Sequence, residues 1–97
     1  MKSELNFQKA LLLLDRGEIE KGRQELENVI SQATTENDTV TMIRSLVCLG
    51  ELLAELGLFP EAATTINKAL TFKDDTDVLA YEFNRAIDLL SVIGNRS

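Results

Sequence analysis

The side chains that most often carry out chemistry are scarce in this chain. It contains no histidine and a single cysteine, Cys48. The commonest catalytic triads require histidine, and common structural zinc sites require several cysteines or histidines. Cys48 lies between Val47 and Leu49 on a mostly apolar stretch, which is typical of a packed small residue rather than a reactive thiol. One cysteine cannot form an internal disulfide, which is consistent with a reducing compartment.

Carboxylates are plentiful, but their spacing is typical of a solvated surface. Glu51 and Glu55, for example, are four residues apart and therefore lie on one face of a helix. Such pairs are far more often surface residues than catalytic dyads, and the chain has no glycine-rich loop for phosphate. We therefore predict that the protein is not an enzyme, and that it requires no metal ion or cofactor.

Composition indicates one folded, helix-rich domain over residues 1–97. Hydrophobic residues make up 44% of the chain and charged residues 27%, with one proline. The net charge of −6 repels phosphate backbones, so we expect no nucleic-acid partner. The same charge is compatible with a basic protein partner, although solubility alone also explains it.

No segment of the sequence predicts contact with a membrane. The apolar run at residues 10–14 is too short to cross a bilayer. The start of the chain also lacks the strongly basic segment and the small-residue cleavage site of a signal peptide. We therefore expect a cytoplasmic protein, in which this run forms part of a buried helix.

Residues 46–70 have the pattern of two helices joined by a tight turn. Apolar and small residues recur at steps of three and four before and after the turn. Gly57 stands where a chain leaving a helix often adopts a positive φ, and Pro60 stands where a helix accepts proline. Small residues, Gly50 on the first helix and Ala62 and Ala69 on the second, allow the two helix axes to approach closely.

This stretch resembles one tetratricopeptide repeat. That family places a large residue, a Leu-Gly pair and an aromatic on the first helix, and an alanine and an aromatic on the second. The matching residues here are Leu46, Leu49, Gly50, Leu53, Ala62 and Ile66. Leucine or isoleucine replaces the aromatic residues, and these positions need bulk more than a specific group. The alternative is a generic antiparallel helical hairpin.

A second, degenerate repeat precedes this one, and a further helix follows it. Aligning Gly17 with Gly57, forty residues later, matches Ala10 with Gly50 and Leu26 with Ile66. The offset exceeds the usual spacing of about 34 residues, and we assign the excess to a polar connection around residues 31–41. The resemblance thus implies an all-α fold: a short right-handed α-solenoid of antiparallel helix pairs. It comprises repeats at residues 3–33 and 39–73 and a capping helix at 76–94, which Gly94 ends and whose polar outer side includes Arg85.

In the tetratricopeptide family, the first helix of each pair lines a concave groove that holds a peptide or helix. Carried over to this sequence, the resemblance implies a partner-binding groove that is apolar at one end and mixed at the other. The chaperone-binding members clamp a terminal carboxylate with Lys, Asn and Arg, which are missing at these positions, so we expect no binding of such tails. The implied groove residues are Phe7, Leu11, Leu14, Arg44, Val47, Glu51, Ala54, Tyr81, Asn84 and Asp88.

The sequence therefore predicts an adaptor that binds a peptide or helix of another protein. One alternative is a structural homodimer or oligomer, in which the apolar N-terminal helix forms the interface. A second alternative is a small chaperone of the secretion type, which has a similar size and repeat count. For the first repeat there are two interpretations: Phe7, Leu11 and Leu14 face a partner, or they pack against the chain's own helices or a second copy of the chain.

Overall fold

The structure is a computed structural model that describes residues 2–72 and 79–96. The described residues form five α-helices and no strand, so the predicted all-α class is confirmed. The helices are α1 (Lys2–Asp15), α2 (Ile19–Glu36), α3 (Thr39–Glu55), α4 (Phe59–Leu70) and α5 (Ala80–Arg96). The end of the second predicted repeat at residue 73 and the start of the capping helix at residue 76 lie outside the described residues.

The chain divides into two compact units, residues 1–45 and residues 46–97, and the boundary falls within α3. The first unit contains α1, α2 and the first residues of α3. The second contains the remainder of α3, α4 and α5. Within the first unit α1 packs along α2, and within the second α4 packs against α5.

Three tight turns end α1, α2 and α3 with the same backbone conformation. Gly17, Asn37 and Gly57 have φ angles of 81°, 57° and 79°, in the left-handed region that glycine and asparagine tolerate best. After Gly57, the Leu58 N–H donates to the Leu53 carbonyl at 2.9 Å. This bond satisfies a carbonyl at the end of α3 and turns the chain back toward α4.

Two predicted helix ends are wrong. Helix α2 continues to Glu36, so the polar residues after position 31 mostly extend this helix instead of forming a connection. Thr34 and Thr35 bond the carbonyls of Ile30 and Ser31, which satisfies their hydroxyls within the helix. Helix α5 continues through Gly94 to Arg96, because Gly94 keeps a negative φ and does not form a turn.

The first unit is held by a buried stripe along α1 and α2. Ala10, Leu26 and Val29 are fully buried, as the sequence pattern predicts for Ala10 and Leu26. Gly22 lies against Leu14, since a Cβ built on Gly22 would approach Leu14 Cδ2 to 2.5 Å. The glycine therefore lets the two helices of this hairpin pack closely.

The start of α1 is fastened to the corner between α2 and α3. Ser3 is fully buried, and its hydroxyl lies 2.7 Å from Glu36 Oε1 and 2.9 Å from Asp38 Oδ2. Asp38 also caps α3, because its Oδ1 accepts the Thr41 N–H at 3.2 Å. Burial alone raises the pKa of Asp38, but its hydrogen bonds with Thr41 and Ser3 outweigh burial and hold that pKa below its usual value.

The second unit also contains a glycine that lets two helices pack closely. Here the glycine lies on the first helix of the hairpin, whereas Gly22 lies on the second. Gly50 on α3 lies directly against Ile66 on α4, and a Cβ built on Gly50 would come within 2.6 Å of Ile66 Cγ1. Ile66 and Ala62 are fully buried, and Phe83 and Ala86 bury the facing side of α5. The small residues expected to allow close packing are therefore at the interface of α3 and α4.

Candidate functional site

The predicted groove residues of the first unit are only partly accessible. Phe7, Leu11 and Leu14 are half-buried, and Leu14 packs against Gly22 of the same hairpin. Arg44 is exposed. The most exposed apolar side chains of α1 are instead Leu5 and Leu12, which are 72% and 50% exposed and which the groove prediction did not include.

The predicted groove residues of the second unit differ widely in accessibility. Val47 is only 5% exposed, so it offers a partner little surface. Glu51 and Ala54 are half-buried on α3. The α5 residues of the prediction are exposed: Tyr81, Asn84 and Asp88.

A cleft of about 370 Å³ lies between the end of α3 and the last three turns of α5. Its polar lining comprises Glu51, Glu55 and Arg85, and its apolar lining comprises Ala54, Phe59, Leu89, Val92 and Ile93. Pockets of roughly 300–1,000 Å³ are the usual size for sites that hold a small ligand or part of a peptide. The cleft contains two of the predicted groove residues, Glu51 and Ala54.

An ion pair closes one side of this cleft. Arg85 Nη2 on α5 donates to Glu51 Oε2 on α3, and this hydrogen bond raises the pKa of the Arg85 guanidinium. Electrostatic interaction with Tyr81 and Asp88 raises the same pKa further. Arg85 is exposed, as expected for the polar outer side of the last helix, and its guanidinium also pairs with Glu51 on α3.

Sequence reasoning missed the α5 side of the cleft. Arg85, Leu89 and Val92 are spaced four and three residues apart, which places them on one face of the helix. This stripe runs beside the buried stripe of Phe83, Ala86 and Ile93. The spacing was therefore visible in the sequence, but nothing in it identified which neighbouring helix the stripe would face.

Cys48 has the environment of a structural residue. Burial and the nearby charges of Glu51 and Glu55 raise the pKa of its thiol to about 11. The thiolate, which is the nucleophilic form, is therefore disfavoured at neutral pH. This is consistent with the expectation of a packed side chain.

We expect Cys48 to react slowly with iodoacetamide in the folded protein. Because the pKa rises from 9.0 to about 11, the thiolate fraction at pH 7 should fall about a hundredfold relative to an ordinary cysteine, and the alkylation rate with it. Mass spectrometry of timed samples between pH 7 and pH 10 would measure this rate. The same chain unfolded in urea is the control, and equal rates in the two states would contradict the burial of the thiol.

Two further kinds of feature can be assessed in the described residues, membrane-spanning helices and clusters of metal-binding side chains. None of the described helices is both long and apolar enough to cross a membrane. Among those residues, no three acidic or cysteine side chains are placed to share a metal ion. Comparison of the chain with protein-family models, with curated proteins and with solved structures returns no match.

Proposed function

We propose that this chain is a non-enzymatic protein-interaction module of the tetratricopeptide type, which binds a peptide or helix of another protein. The proposal includes a solenoid of two repeats and a capping helix, and a cytoplasmic location. Its partner surface would be the side of α3 and α5 that carries the cleft, together with the exposed residues next to it.

The positions of the motif residues support this proposal. Leu46, Leu49 and Leu53 are buried along one face of α3, where the family places its large residues. Gly50 contacts Ile66, the residue at the family's second-helix aromatic position. A generic helical hairpin would also bury its apolar face, but it would not require a glycine opposite this isoleucine.

The observation that carries the proposal is the cleft itself. Its wall includes Val92, which is 49% exposed, beside half-buried Phe59 and Leu89. When a partner covers such an exposed aliphatic side chain, the free energy of the system falls by about 25 cal/mol for each Å² of apolar area removed from water. A partner side chain inserted into the cleft would cover this wall.

We expect Val92→Glu to weaken the binding of peptide partners at least about tenfold, because it places a charge on the apolar wall of the cleft. The probes are peptides of about 16 residues, selected from a random displayed library against the intact chain, since this length spans four turns of a bound helix. Fluorescence anisotropy of the labelled synthetic peptides would give the dissociation constants.

Ile87→Glu is the matched control for this experiment. Ile87 is on the same helix and is similarly accessible, at 42%, but it does not line the cleft. Its replacement should change the affinity less than about twofold. Selection of no peptide above background would contradict the proposed function, and equal losses for the two variants would contradict the proposed site.

A second candidate function is the homodimer with α1 at its interface. It is favoured by Leu5 and Leu12, two exposed leucines seven residues apart and hence on one side of that helix. Light scattering after size exclusion, over about a hundredfold dilution, would measure the mass in solution. A persistent dimer that dissociates in Leu12→Glu would support this candidate, and a stable monomer would exclude it.

A further inference from the structure

We propose that the cleft between α3 and α5 binds a basic amphipathic segment of another protein. An aliphatic or aromatic side chain of this segment enters the cleft, and a lysine or arginine beside it pairs with Glu55. This inference rests on the proposed function and adds to it the chemistry of the partner. It is carried by the shape of the cleft and by the distribution of charge around it.

The apolar part of the cleft sets the first requirement. Phe59, Leu89 and Val92 form a wall with no charged atom of their own, and buried Ile93 also lines the cleft. A polar side chain placed there would lose its water without gaining a hydrogen bond from these residues. The volume of about 370 Å³ is near the lower end of ligand-binding pockets, which suits one or two large side chains better than a whole cofactor.

The charge around the cleft sets the second requirement. Its described lining carries two carboxylates, Glu51 and Glu55, against one guanidinium, Arg85. Arg85 is engaged with Glu51, so the exposed carboxylate of Glu55, which forms the rim of the cleft, leaves the lining with an excess negative charge. Glu55 is also the last residue of α3, where the helix dipole places partial negative charge. A cation is therefore favoured at this rim, and an anion is disfavoured.

These two requirements are met together by a helical partner. Residues that are three or four positions apart in a helix lie on the same side, so an apolar anchor and a basic side chain can reach the cleft and its rim simultaneously. The net charge of −6 on the whole chain acts in the same direction and would speed the approach of a basic segment. An acidic segment, or an anionic membrane surface, would be repelled.

The test uses the intact chain and the displayed library of random peptides. We expect the selected peptides to carry a large apolar residue with Lys or Arg three or four positions away. Glu55→Lys should weaken their binding at least about tenfold, because it replaces an attraction with a repulsion at the rim. The affinity should also fall when NaCl is raised from about 50 to about 300 mM, since salt screens exposed charges.

The control variant is Glu61→Lys, which makes the same charge change at an exposed residue of the same unit that does not line the cleft. This variant should weaken peptide binding by less than about threefold, because its charge acts on the peptide only through long-range electrostatic interaction. Glu55 and Glu61 are both exposed, and circular dichroism during thermal unfolding would verify that both variants fold. A charge-swapped peptide, with Glu at each Lys or Arg, should not bind.

Failure of this inference is distinguishable from failure of the proposed function. Peptides without basic residues that bind through the cleft, sensitive to Val92→Glu but not to Glu55→Lys, would overturn the partner chemistry and leave the function standing. A library that yields no peptide would overturn both. If the chain is instead a dimer that Val92→Glu dissociates, the cleft is occupied by a second copy, and the basic partner is again excluded.

Discussion

Replacing Ile66 by alanine is expected to lower the free energy of unfolding by about 2–5 kcal/mol, because it removes buried methyl groups and leaves a cavity. Ile66 is fully buried on α4 and is the side chain against which Gly50 packs. Typical domains are stable by only about 5–15 kcal/mol, so this loss would be a large fraction of the total stability. Urea denaturation followed by circular dichroism would measure the change.

Ile87→Ala is the control for this prediction, since it makes the same chemical change on an exposed side chain of the same unit. Its effect should remain within about 0.5 kcal/mol. Similar losses in the two variants would show that Ile66 is not in a packed core. A loss confined to Ile66→Ala would support the described packing of α4 against α3.

Replacing Gly50 by alanine is expected to destabilise the protein by about 1–3 kcal/mol, the usual range for an overpacked core. The new Cβ would overlap Ile66 Cδ1 and lie 2.6 Å from Cγ1. Rotation about χ2 can displace Cδ1, but Cγ1 is placed by χ1, which has one preferred rotamer for isoleucine in a helix, and the side chain is fully buried. The gain in helix propensity from glycine to alanine, about 0.5–1 kcal/mol, is too small to offset this clash.

The variant Gly94→Ala measures the gain in helix propensity in the absence of a steric clash. Gly94 is also helical, but a Cβ built there meets no atom within 4 Å, so this variant should be neutral or more stable by up to about 1 kcal/mol. Thermal unfolding of both glycine variants would compare them directly. In an Ile66→Ala background the clash disappears, and Gly50→Ala should then cost nothing. A Gly50→Ala variant as stable as Gly94→Ala would contradict the close approach of α3 and α4.

The sequence alone determined the helical hairpins, two of their turns and the principal buried positions. Gly17 and Gly57 could be assigned to left-handed turns because glycine adopts positive φ without a steric penalty. The burial of Leu26 and Ile66 followed from a three-to-four-residue spacing, since side chains so spaced share one helix face. These features depend on residues that are close in the chain, which is why one sequence was sufficient.

The tertiary structure decided where the helices end and which neighbouring helix each helical face contacts. Helix α2 runs to Glu36, and the carboxylate of that last residue accepts a hydrogen bond from buried Ser3 on α1, 33 residues away in the chain. The cleft likewise depends on Arg85 reaching Glu51, which is 34 residues distant in the chain. Helical periodicity specifies that a face exists but does not specify its neighbour. That choice is made by long-range packing, which here placed a stripe of α5 beside two predicted groove residues of α3, Glu51 and Ala54.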